Sequence, residues 1–188
     1  MLNHTNDYQP KCLRLVVMSE YRTFKYRIYP NTHQKIKMAQ NFGCARFVYN
    51  FFLTMKRQEY SLWAKSPSNK ECSVQLTLLK KEEGYEWLNN ADSTALQSAL
   101  SNLADAYQNF FEGRAGYPKY KSKKDHNDSY TSKNNNNAIK LEAKRIKLPK
   151  IGWVKTKVSR PAEGRIVRAT VSHVPSGKYY VSVVCEVD

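Results

Sequence analysis

The chain has no apolar run long enough to span a bilayer, so no membrane-spanning helix is expected and no membrane partner. Its four cysteines, Cys12, Cys44, Cys72 and Cys185, stand far apart, and none sits in a Cys-x-x-Cys pair. That spacing supports neither a zinc site nor a disulfide framework, and it fits lone buried thiols. His4, His33, His126 and His173 share no metal-ligand spacing. No serine falls in a recognisable nucleophile context. Paired carboxylates on strands, which a two-metal nuclease needs, are missing; Glu82 with Glu83 reads as a solvated helix end. Acids are scarce altogether. Asp and Glu number 16 against 31 Lys and Arg, a net charge of +15 and a pI near 9.7. A surplus of that size repels itself in the compact state unless a polyanion neutralises it.

What is present suits a folded protein. Of 188 residues, 41% are hydrophobic, enough for a core. Residues 1–20 carry a short apolar patch without signal-peptide architecture and read as an N-terminal extension. Residues 21–29 alternate, with Phe24, Tyr26 and Ile28 on one face and Lys25 and Arg27 on the other, which predicts a half-buried strand. Pro30 stops it, and Asn31 with Gln34 forms a capping-box signature. A short helix to about Asn41 should break at Gly43. A second, from about Cys44 to Trp63, carries Ala45, Val48, Tyr49, Phe52, Leu53 and Tyr60 at helical spacing. A third should start near Ser73. The fourth, capped by Asp92 and ended by Gly113, shows Leu96, Leu100, Leu103, Tyr107 and Phe110 in one stripe. Short strands are predicted over 139–141, 145–148, 153–158, 166–173 and 179–187, the last two joined by a turn at Pro175, Ser176 and Gly177. The order implies an α+β fold. The first strand (21–30) joins the late ones (139–188) in a small β-barrel, and a four-helix lobe (31–113) is inserted, each part with its own small core.

Residues 113–160 hold 14 Lys and Arg against three acids, a net of +11. Within them the loop-like stretch 114–138 interleaves Arg114, Lys119, Lys121, Lys123 and Lys124 with Tyr117, Tyr120 and Tyr130. Cations neutralise phosphates and release counterions, rings stack on bases, and carboxamides pair with base edges. A merely solvated loop would show the charge without the rings and amides. The helices flanking Gly43 can be read as a helix-turn-helix, a spacing that many helical hairpins share; their apolar faces suggest a core role first, with exposed Arg46, Lys56 and Arg57 offering phosphate contacts.

Several strings, in order and at matching spacing, resemble the TnpB (OrfB) proteins of insertion sequences. They are Lys25-Tyr-Arg-Ile-Tyr-Pro30, Gly43-Cys-Ala-Arg-Phe-Val-Tyr-Asn50, Leu76-Thr-Leu-Leu-Lys80, Trp87-Leu, Ala95-Leu-Gln97, Asn109-Phe-Phe111, Gly116-Tyr-Pro-Lys-Tyr-Lys121, Ser129-Tyr-Thr131, Lys147-Leu-Pro-Lys-Ile-Gly-Trp-Val-Lys155 and the end, 179–186. The resemblance covers about residues 21–187. It implies a wedge-like barrel with a recognition lobe that binds guide RNA and reads a short motif in double-stranded DNA beside the target. Carried over by position, the motif readers are Ser73, Thr94, Gln97, Asn135 and Asn136. Phosphate and RNA contacts fall on Arg114, Lys119, Lys121, Lys123, Lys124, Tyr130, Lys147, Lys150 and Lys155. A RuvC-like nuclease domain, holding the family's magnesium and zinc, would begin where this sequence ends. The resemblance therefore implies no catalytic residue and no cofactor in this chain, and a cytoplasmic, nucleoid-associated place in a bacterium or archaeon. Two other expectations stay open: a stand-alone DNA-binding repressor, and a nuclease completed by a separately encoded chain.

Overall fold

Alternation in the first strand becomes structure directly: β1 (Glu20–Tyr29) buries Phe24, Tyr26 and Ile28 and turns Lys25 and Arg27 outward. The computed structural model describes residues 20–126 and 128–187. Residues 1–19 of the expected N-terminal extension, Cys12 among them, lie outside the described residues, and Glu20 already belongs to β1.

Asn31 caps α1 (Thr32–Trp63) in the expected capping box, and Gln34 also donates to the Trp153 carbonyl at 2.7 Å, tying the helix start to the sheet. The predicted break at Gly43 does not occur: α1 is one helix of 32 residues. Its buried stripe passes straight through, with Met38, Phe42, Ala45, Val48, Tyr49 and Phe52 at successive helical steps. A mid-helix glycine costs only about 1 kcal/mol, less than this stripe recovers by burial. The lobe therefore has three α-helices, not four. The second, α2 (Asn69–Leu79), starts earlier than Ser73 because Ser68 and Glu71 form a capping box. The third, α3 (Ser93–Phe111), is capped by Asp92 as expected and ends just before Gly113, whose φ is +70°.

The predicted basic loop also differs. It contains a strand, β2 (Asp128–Lys133), paired with a later one. Then follow β3 (Lys140–Glu142), β4 (Arg145–Leu148), β5 (Gly152–Lys157), β6 (Arg165–His173) and β7 (Tyr179–Val187), close to the expected positions. All pairs are antiparallel, and the order is β2-β6-β7-β1-β5-β4-β3. The sheet is mixed with the helices as an α/β body and curls into half a barrel; among the described residues no pairing of β2 with β3 closes it. β1 sits at its centre, so the helices are inserted between the central strand and the rest.

One core serves both parts, instead of the two expected. The inner face of the sheet, with Tyr26, Val154, Val171, Val181 and Val183, belongs to the same buried cluster as Leu53, Leu76, Leu96 and Leu100 of the helices. Tyr130 of β2 meets Phe42 of α1 at the junction, ring centroids 5.5 Å apart. Cys44, Cys72 and Cys185 are free and buried, as their spacing suggested. Burial pushes the Cys44 thiol up to about 11. Among the described residues no helix is long and apolar enough to cross a membrane.

Candidate nucleic-acid interface

Strand alternation places every second residue of β1, β5 and β4 on the outer face of the sheet. Register then sets like charges directly opposite one another: Arg27 faces Lys157 and Arg145 faces Lys155. Lys140 of β3 likewise faces Lys147. Such pairs repel. Among the described residues, Lys25, Arg27, Lys147, Lys155 and Lys157 have no ion-pair partner; Arg145 is held by Glu142 at 2.6 Å. Rings line the same face. Lys25 lies 4.9 Å from the Tyr180 ring, Arg27 5.2 Å from Tyr29 and Arg145 4.5 Å from Trp153. Of these cations, the resemblance singles out Lys147 and Lys155 but misses Lys25, Arg27 and Lys157. The signal that points to them is the outward half of each alternating strand. Lys150 is exposed in the turn between β4 and β5, with φ at +62°.

The basic loop is arranged differently. Asn50 of α1 accepts from the Lys121 N–H at 2.8 Å and donates to the Lys121 carbonyl at 2.9 Å. Arg57 donates to the Pro118 carbonyl at 3.0 Å and lies 4.9 Å from both the Tyr117 and Tyr120 rings. These contacts pin the loop on α1. Arg57, expected to meet phosphate, is instead a strut, and Tyr117 and Tyr120 are partly occupied by it. Arg46, offered for the same role, is half-buried and paired with Asp128 at 2.5 Å. Arg114 is paired with Glu112. Lys119, Lys123 and Lys124 are exposed. Lys121 reaches solvent but packs 4.2 Å from the Tyr49 ring; desolvation, then repulsion from Arg46, holds its ammonium below its ordinary pKa. Tyr130 is a correction. It is 3% exposed in the core, so it cannot reach RNA in this fold, and burial raises its phenol far above the usual range.

Four of the five expected motif readers come together. A groove of about 480 Å³ between α2, α3 and the end of β2 is lined by Thr94, Gln97 and Asn135, with Lys80 and Lys133 beside them. Ser73 donates to Gln97 Oε1 at 2.9 Å, which orients that carboxamide from behind. Asn136, exposed at φ +53°, follows Asn135 but does not line the groove. Thr94 is tied down. Its hydroxyl donates to Asp92 at 2.7 Å and accepts from the Lys133 N–H at 3.1 Å, while Asn41 accepts from the Asp92 N–H. Gln97 and Asn135 therefore carry the free amide chemistry of this groove. No three potential metal ligands converge among the described residues.

Comparison with known proteins now decides the family. Residues 18–62 match a family model described as a helix-turn-helix domain of the OrfB type. A protein of Escherichia coli (strain K12), named as a candidate RNA-guided DNA endonuclease, InsQ, is 32% identical over 171 residues, covering 90% of this chain and 41% of that protein. A second so-named endonuclease, from Streptomyces pristinaespiralis, is 35% identical over 88% of this chain and 41% of its own length. This chain belongs to the TnpB/OrfB family. It spans about two fifths of those two relatives. The virulence protein VsdF of Salmonella dublin is 34% identical over 54% of this chain and 93% of its own length. In this TnpB/OrfB member, the described part of the stretch matched as helix-turn-helix is β1 followed by one unbroken helix.

Proposed function

We propose that this chain binds nucleic acid on two faces: guide RNA on the outer face of the sheet, and a short motif in duplex DNA at the groove beside Gln97. The carrying observation is the cross-strand register that sets Arg27 against Lys157 and Arg145 against Lys155. Opposed like charges cost stability, and a sugar-phosphate backbone relieves them while releasing its counterions. The neighbouring rings Tyr29, Trp153 and Tyr180 add stacking surfaces for bases. At the groove, Gln97 and Asn135 have the donor and acceptor pairs that read base edges, and Lys80 and Lys133 suit the flanking phosphates. Two relatives named as candidate RNA-guided DNA endonucleases support the same pairing of RNA with DNA.

The residues of both faces offer binding chemistry, so we assign recognition to this chain and cleavage to none of its described residues. Purification from its host followed by sequencing of bound RNA tests the reading. A defined RNA, lost on Arg27→Ala with Lys157→Ala, is the expected result. Tight duplex binding with no RNA would make the chain a DNA-binding regulator instead. Magnesium-dependent cutting by the purified chain would overturn the assignment.

A further inference from the structure

At the far end of the helical lobe, the last turns of α1 and α3 and the start of the basic loop enclose a groove of about 350 Å³. It is lined by Tyr60, Tyr107, Phe110, Phe111 and Tyr117, with Lys56 beside them, and no acidic side chain lines it among the described residues. The rings brace one another. Phe110 meets Tyr117 edge-on at 5.1 Å, Tyr107 lies 5.7 Å from Tyr117, and their hydroxyls are 3.1 Å apart. Phe111 and Tyr60, in contrast, stand 77% and 64% exposed. Cations border the rings: Lys56 Nζ lies 5.7 Å from the Tyr107 ring and Arg57 4.9 Å from that of Tyr117.

We propose that this groove takes a single unpaired nucleobase of the bound nucleic acid, stacked on Phe111 and Tyr60 with its phosphate toward Lys56. The inference rests on the nucleic-acid reading above and adds a site to it. Three features select this occupant. The braced rings form a fixed wall, and the two exposed rings at its mouth leave a flat, apolar face open, which every base can match. The volume holds a base with its sugar but not a duplex. Lys56 donates to the Pro67 carbonyl at the groove's edge and keeps its charge and two further N–H groups for a phosphate, with no acid among the lining to neutralise it.

The test compares Phe111→Ala and Tyr60→Ala with the parent chain by fluorescence anisotropy. The probes are an unstructured single-stranded RNA, its DNA counterpart, an abasic version of that DNA, and a blunt duplex. Because Phe111 is exposed, its truncation leaves the fold intact, which circular dichroism checks. Single-strand affinity should fall roughly tenfold in Phe111→Ala, in keeping with loss of one stacked base, and duplex affinity should not change. Phe111→Trp should restore binding, and the abasic strand should be insensitive to either truncation. A loss for RNA alone would place the base on the RNA strand, and an equal loss for DNA would make the groove general for single strands. If both variants bind single strands like the parent while Arg27→Ala with Lys157→Ala does not, the groove is no base site and the wider reading stands. If the parent binds no oligonucleotide, both fall. If Phe111→Ala changes only the sedimentation of the chain, a protein surface fills the groove and the proposal is overturned.

Discussion

Along β1, β5 and β4, cations stand opposite one another across the strands. Along 114–126, cations and tyrosines are drawn onto α1. Both regions are basic, and the basic stretch 113–160 runs through the loop into β4 and β5, but local composition joins cations to rings and amides only in the loop. In the sheet, Arg27, Lys155 and Lys157 face outward with no ion-pair partner among the described residues. In the loop, Arg114 pairs with Glu112, and Lys121 is held through its backbone by Asn50. Charge counted along a chain therefore overstates the charge available to a ligand where the fold supplies internal partners. It understates it where alternation gathers distant strands onto one face.

The largest effect that sharpens this contrast lies at Tyr130, a ring that composition assigns to the loop. Tyr130→Ala should lower stability by about 3–5 kcal/mol, measured by urea unfolding, because it empties the junction beside Phe42. Tyr130→Phe should be neutral or stabilising, since the buried hydroxyl has no hydrogen-bond partner among the described residues. RNA affinity should be the same in Tyr130→Phe as in the parent. A selective loss of binding there would return this ring to the interface.

Next comes the sheet itself. Arg27→Ala with Lys157→Ala should weaken RNA binding roughly 100-fold and reduce the slope of log affinity against log salt by about two. Stability should hold or rise by a few tenths of a kcal/mol, since a repulsive cross-strand pair is removed. Binding and stability moving in opposite directions is the signature; a joint fall would mean these cations hold the sheet together. A smaller effect belongs to the groove. Gln97→Ala should relax the preference for one duplex motif by about 1–3 kcal/mol, read by competition between duplexes, and leave RNA binding unchanged. Ser73→Ala should show a fraction of that loss, because Ser73 only orients the carboxamide.

Much of the fold is legible in the sequence because its signals are local. The alternation of β1, the capping box at Asn31 and the Asp92-capped stripe of α3 depend on neighbours along the chain. The departures share a cause. By its own propensity Gly43 is a breaker, while the buried stripe running through it decides the matter at lower free energy. By their polar surroundings Tyr130 and its neighbours belong to a loop, yet pairing with β6 across 35 to 45 positions makes that segment a strand. The groove residues Thr94, Gln97 and Asn135 come from resemblance alone, and only the fold brings them together. On the outer face of the sheet, alternation turns Lys25 and Arg27 outward and resemblance names Lys147 and Lys155, but the pairing across strands is hidden for the same reason. Arg27 and Lys157 are 130 positions apart, and no reading of local composition makes them neighbours.

Asn50 offers the finest cut between the two regions. Its carboxamide clasps both backbone groups of Lys121, so Asn50→Ala removes two hydrogen bonds that fix the loop on α1. The loop cations stay in place while their anchorage goes. Stability should fall by about 1–2 kcal/mol, since the Lys121 groups are near the surface and water replaces part of what is lost. If the loop contributes its cations only as a diffuse field, RNA affinity and its salt slope should change less than about twofold, far below the change from the Arg27 and Lys157 pair. A loss equal to that of the sheet variant would instead mean that α1 holds the loop in a geometry the RNA requires. The pinned contacts of Arg57 and Asn50 would then be part of the interface and not only of the fold.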